Sequence, residues 1–141
     1  GIVVGSAQLE QIDSVADHIV GLSLAVEHKR MCVKVGDGAP LIRDRIINQL
    51  ILRGIETLEV NEYRTSQGSR IKTHLHAATR IALMGGSRVH HIRELNPTEG
   101  DLKEIQRQSR IMSSGNLTIS TELARRVACG ELSMEDAIKR A

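Results

Sequence analysis

The spacing of apolar residues changes period several times along the chain, and each change marks an element. From Leu9 onward, Ile12, Val15, Ala16, Ile19, Val20 and Leu22 recur at steps of three and four, which predicts an amphipathic helix over about residues 7–21. Leu22, Leu24 and Val26 then alternate, so strand and continued helix both fit. Met31, Val33 and Val35 alternate with Cys32 and Lys34, as in a short strand with one buried face. Gly36 to Ala39 turn the chain, and Pro40 suits a first helical position, where its missing N–H leaves nothing unpaired. Across 40–53, Leu41, Ile42, Ile46, Ile47, Leu50 and Ile51 form one face and Arg43, Asp44, Arg45, Asn48 and Gln49 the other. Gly54 follows, where a left-handed helix cap needs a residue without a Cβ.

IETLEV, residues 55–60, reads as a second strand. After the polar stretch NEYRTSQGS, a second helix is expected over about 69–84, with Ile71, Leu75, Ala78 and Ala82 as its stripe, Ile81 beside it, and Gly85 and Gly86 ending it. RVHHIREL, 88–95, alternates imperfectly and fits a third, bulged or edge strand. Asn96 and Pro97 stop it. Thr98–Met112 is helical in pattern, and Gly130 separates two short helices at 121–129 and 133–140, the second opened by a capping arrangement of Ser133 and Asp136.

Strand, helix, strand, helix, strand within about 65 residues predicts a small α/β layer of βαβαβ order. The expected organisation is an N-terminal helical arm over 1–29, an α/β core over 30–95 and a C-terminal helical extension over 96–141.

Composition narrows the chemistry. With no Phe or Trp and only Tyr63, the core must be aliphatic, and stacking of single-stranded bases on aromatic rings is nearly excluded. The net charge of +2 hides an asymmetry, since residues 28–95 hold 12 Lys or Arg against 6 Asp or Glu. A basic middle segment favours a polyanion partner, although a solvated charged surface has the same composition. Two separated cysteines, Cys32 in the first strand and Cys129 at a helix end, form neither a zinc set nor a disulfide framework, so reduced thiols and an intracellular, cytoplasmic or nucleoid-associated setting are expected. No apolar run reaches the roughly 18 residues of a membrane span. The chain starts with Gly, which fits a piece of something longer.

The GDGAP turn leads from a strand into a helix, the geometry in which backbone N–H groups bind anions. It lacks the GK[ST] ending of a P-loop and the third glycine of a dinucleotide fingerprint, and Asp37 stands where a phosphate would sit. His74 and His76 on a helix point about 200° apart and cannot share an ion. His90 and His91 bring no further ligands, and neither a HExxH set nor a GxSxG elbow is present. No catalytic residue, cofactor or metal is therefore predicted. TELARR at 121–126 is similar to the first helix of a helix-turn-helix reader, but the next helix opens with Met134, Glu135 and Asp136, which fits a docking element better than a phosphate-facing one.

The apolar strand, the VG turn with its proline, the helix ending in Gly54, IETLEV, the polar loop, QGSRIKTHLHAATRIAL and the third strand together resemble the Alba family of chromatin and RNA-binding proteins, with Gly68, Ile71, Ala78 and Ile81 carrying the specific echo. The resemblance covers roughly 65 of the 141 residues. It implies a dimer that contacts nucleic-acid phosphates through basic residues of the first turn and of the loop before the second helix. Arg64, Arg70 and Lys72 occupy that loop. In the first turn Asp37, Gly38 and Ala39 replace the family's paired lysines, leaving Lys34 on the strand and Arg43 in the helix. The family's final β-hairpin gives way to helices from residue 98.

These readings lead to a non-enzymatic domain that binds RNA or DNA through Lys34, Arg43, Arg64, Arg70 and Lys72. The alternative is an oligomerising subunit, a homodimer or larger assembly, whose helix faces bury against partners. A third option is an enzyme that uses the GDGAP turn as an anion site.

Overall fold

A computed structural model describes residues 2–27, 29–62 and 74–141. The chain forms two compact units, 1–93 and 94–141.

In the first unit a short 3-10 turn, Ile12–Ser14, leads into α1 (Val15–Ala25). Next come β1 (Cys32–Gly36), α2 (Pro40–Leu52), β2 (Glu56–Val60), α3 (His74–Leu83) and β3 (Ser87–Arg88). The sheet order is β1-β2-β3, with β1 parallel and β3 antiparallel to the central β2. Parallel neighbours need a long crossover, and the 13-residue α2 provides it. Pro40 sits in its first turn, and Gly54, at φ 72°, reverses the chain into β2.

The pleat sorts the side chains. Val33 and Val35 pair with Thr57 and Glu59, so these four share the face covered by α2. There Ala16, Val35, Ile47 and Leu50 form a buried cluster, flanked by Ile19, Val33, Ile46, Ile51, Ile55 and Val89. Lys34 points to the other face, where it reaches the end of α3. The unit is therefore three layers, with α1 and α2 on one side of the sheet and α3 on the other. This confirms a mixed α/β class.

Several expectations need correction. Residues 2–11 form no regular helix, and helix instead occupies the stretch through Ala25 that left strand open. Ala16 is fully buried with Val35, Ile47 and Leu50, so α1 contributes to the core of the first unit. Cys32 is exposed, because it alternates away from the α2 face at an edge of the sheet. The strand expected at 88–95 shrinks to Ser87–Arg88. Val89 N–H still donates to Thr57 O (2.9 Å), but Asn48 on α2 then takes over. Its amide donates to Arg93 O and accepts from Arg93 N–H, both at 2.8 Å, so a side chain satisfies backbone groups that a strand partner would otherwise bind. Of the second helix, His74–Leu83 is described. There Leu75, Ala78 and Ala82 of the expected stripe are exposed while Ile81 is buried.

The second unit contains α4 (Glu99–Met112), α5 (Thr121–Ala128) and α6 (Met134–Arg140). Thr98 and Asp101 form a reciprocal capping box on α4, and the Ser120 and Ser133 hydroxyls cap α5 and α6. The core is built from small side chains, Ala124, Ala128 and Ala137, with Leu102 and Ile119. Buried Ser109 accepts from Ile119 N–H (3.1 Å) and donates to Gln106 O, while Gln106 donates to Ile119 O (3.0 Å). Two α4 side chains thus satisfy both backbone groups of the loop residue Ile119.

Core position and helix face separate in a simple test. Ile47→Ala, which empties a site with no solvent exposure, should cost about 2–5 kcal/mol in chemical denaturation, whereas Leu52→Ala, at a position 72% exposed on the same helix, should change stability by less than about 1 kcal/mol.

Candidate functional site

The five cations singled out in the sequence have different fates. Lys34 Nζ donates to Ala82 O (2.8 Å) and Met84 O (2.6 Å) at the C-terminal end of α3. It satisfies carbonyls that the helix leaves unpaired and places positive charge at the negative end of the dipole. Arg43 binds Asp44 and Glu59. Arg64, Arg70 and Lys72 lie outside the described residues.

Arg43 belongs to a four-member ionic network joining α2, β2 and the segment after β3. Arg43 Nε donates to Asp44 Oδ1 (2.8 Å) and Arg43 Nη1 lies 3.1 Å from Glu59 Oε1. Arg93 Nη1 donates to Asp44 Oδ1 (3.0 Å) and Arg93 Nη2 to Glu59 Oε2 (2.6 Å). The four side chains keep only 17–29% of their surface, so the charges are partly desolvated and need one another. Burial pushes the Asp44 carboxyl up, but the hydrogen bonds from Arg43 and Arg93 outweigh it and hold the group below its ordinary value. The same contacts raise both guanidinium groups, led by Glu59 for Arg93 and by Asp44 for Arg43. Arg30 is likewise held by Glu56, Arg45 by Asp13 and Arg53 by Asp17. Much of the basic middle segment is spent within the fold.

The GDG turn is also internally engaged. Asp37 N–H donates to Val60 O (3.1 Å), and Asp37 Oδ1 accepts from Glu62 N–H (2.8 Å). The Glu62 side chain lies along the turn, and a Cβ at Gly36 would fall 2.7 Å from Glu62 Cγ and nearer still to its carboxylate. Gly38 meets the same carboxylate. These glycines leave room for a side chain of the chain itself, and that side chain is an anion. The turn therefore presents carboxylates where an anion site would need free donors.

Beside it, at the carboxyl ends of β1 and β2, lies a crevice of about 800 Å³ bordered by Asp37, Glu59, Asn61 and the Met84–Ser87 turn. Sequence reasoning had assigned the two glycines of that turn only to ending a helix. It also missed Asn48 and Arg93, 45 positions apart, for which no local pattern gives a signal.

Among the described residues, no three His, Cys, Asp or Glu side chains converge as metal ligands, and no helix is long and apolar enough to cross a membrane. His74 and His76 both lie on α3, and the His90 and His91 rings are 6.4 Å apart.

Residues 98–141 match the family described as Three helical bundle domain, a span that coincides with α4 to α6 and their caps. No curated protein and no solved structure matches the chain. The resemblance to Alba proteins over 31–95 is overturned: the family match is a helical bundle elsewhere in the chain, and the third strand on which the likeness relied is two residues long.

The ionic network makes stability depend on acid in a defined direction. The depressed Asp44 pKa contributes stability that is present above the unfolded value, near 3.8, and lost as pH falls through the folded value. An Asp44→Asn chain should start less stable at neutral pH and lose less on going from about pH 5 to about pH 2, as measured by denaturant midpoints across that range.

Proposed function

We propose that the chain is a non-enzymatic assembly subunit that associates with further copies of itself through apolar side chains of the first unit. The observation that carries this reading is the exposure of large aliphatic residues on two helices: Leu24 is 84% exposed on α1 and Leu83 72% exposed on α3, and Leu22 and Leu75 on the same helices are exposed as well. Apolar side chains left out on two helices are what an oligomer covers. Among the described residues β1 pairs only with β2, which leaves it at an edge of the sheet in the same unit.

Charge supports the choice over nucleic-acid binding. A phosphate-tracking surface needs cations free to exchange counterions. Lys34 and Arg43 are engaged by carbonyls and carboxylates instead, as are Arg30, Arg45, Arg53 and Arg93.

Light scattering across a concentration series, paired with gel shifts on mixed RNA and duplex DNA at two salt concentrations, tests the reading. A mass above one chain that falls when Leu24→Glu and Leu83→Glu are combined, with the thermal melt and circular dichroism of the parent preserved and no salt-steep nucleic-acid shift, is expected. A single chain at every concentration rejects it, and a strong salt-dependent shift would return function to the basic stretch of sequence containing Arg64, Arg70 and Lys72.

A further inference from the structure

The crevice at the carboxyl ends of β1 and β2 is bordered by a mixture of polar groups and two consecutive glycines. Gly86 has a structural reason to be glycine: a Cβ there would lie 2.7 Å from Glu59 O and 3.1 Å from Val60 Cγ2. Gly85 has none. A Cβ on Gly85 meets nothing within 4 Å, and its backbone is not left-handed, yet a glycine costs about 0.4–1 kcal/mol in chain entropy relative to alanine. Its missing side chain leaves open the wall of the crevice that it lines.

The chemistry of the lining selects a ligand class. Asp37 has one carboxylate oxygen on Glu62 N–H, which leaves Asp37 Oδ2 as an acceptor. Ser87 adds a hydroxyl, and the Gly85 and Gly86 N–H groups make no backbone hydrogen bond among the described residues. An inorganic anion would face Asp37 and Glu59. Among the described residues no three His, Cys, Asp or Glu side chains converge there on a metal ion. A hydroxyl group both donates and accepts, so it fits a wall where a carboxylate stands beside N–H donors. Among the described residues that border the crevice none is aromatic, and Met84 supplies its apolar part.

We propose that this crevice binds a small neutral polyol through a vicinal diol, such as that of a furanose sugar, with Asp37 accepting from the hydroxyls and the Gly85–Gly86 turn donating to them. The carboxyl ends of parallel strands are where such crevices take ligands in open α/β sheets.

The test is an amide-resolved NMR titration of the full chain with methyl β-D-ribofuranoside and with its 2-deoxy counterpart. Saturable shifts at Gly85, Gly86 and Ser87 are expected for the riboside, with affinity on the order of millimolar for so small a probe. The 2-deoxy compound should bind about tenfold more weakly, as expected for one lost hydrogen bond to a charged acceptor. Gly85→Ala should weaken riboside binding by a similar factor while leaving the melting temperature unchanged or higher. Riboside binding that is absent, indifferent to the 2-hydroxyl, or unaltered in a folded Gly85→Ala chain overturns the assignment, whatever the oligomeric state proves to be.

Discussion

The parallel pairing of β1 with β2 is the constraint from which the rest of the first unit follows. It cannot be closed by a hairpin, so α2 must cross over the sheet, and that crossover brings Ile47 and Leu50 onto Val35 and Ala16. The same helix carries Arg43, Asp44 and Asn48 to one side of β2. With no Phe or Trp in the chain, this aliphatic layer is thin. The ionic network and the Asn48 clamp secure the segment after β3, which has only two residues of sheet. Within that network Arg43 and Arg93 are taken up by the carboxylates of Asp44 and Glu59.

The pairing also sets what is left over. Both strands end on one side of the sheet, where the GDG turn, Asn61 and the Gly85–Gly86 turn surround an open crevice. Glu62 lies along the GDG turn and makes this end of the sheet acidic. The opposite outcome holds for the helices: among the described residues of α3, Ile81 is buried while Leu75 and Leu83 are exposed. A polar crevice and an apolar exterior on the same unit are two consequences of a short sheet with few large side chains.

How much of this was legible in the sequence depended on how local its cause was. Pro40, the alternation of Val33 and Val35, Gly54 and the stripe through Ile47 and Leu50 act over a few residues, and β1, α2 and β2 lie within a residue or two of their expected bounds. The three C-terminal helices were equally readable, because Thr98, Ser120, Ser133 and Gly130 punctuate them. Failures came where a distant partner decided. Nothing near residue 93 shows that Asn48 will bind its backbone in place of a strand, and nothing near residue 34 shows that its ammonium will close the end of α3. The charge count gave no sign that Lys34, Arg43 and Arg93 would find partners within the fold. The likeness to Alba proteins shared that weakness, since it rested on element order and a few small residues.

Native-state hydrogen exchange resolved by residue tests the central claim most directly, because it ranks the elements by the free energy needed to open them. If the β1–β2 pairing under α2 anchors the unit, the amides joining Cys32–Gly36 to Glu56–Val60 and those around Ile47 and Leu50 will exchange slowest in residues 1–93, and those of α3 distinctly faster. Exchange of the β1–β2 amides as rapid as that of residues 2–9 would contradict the account.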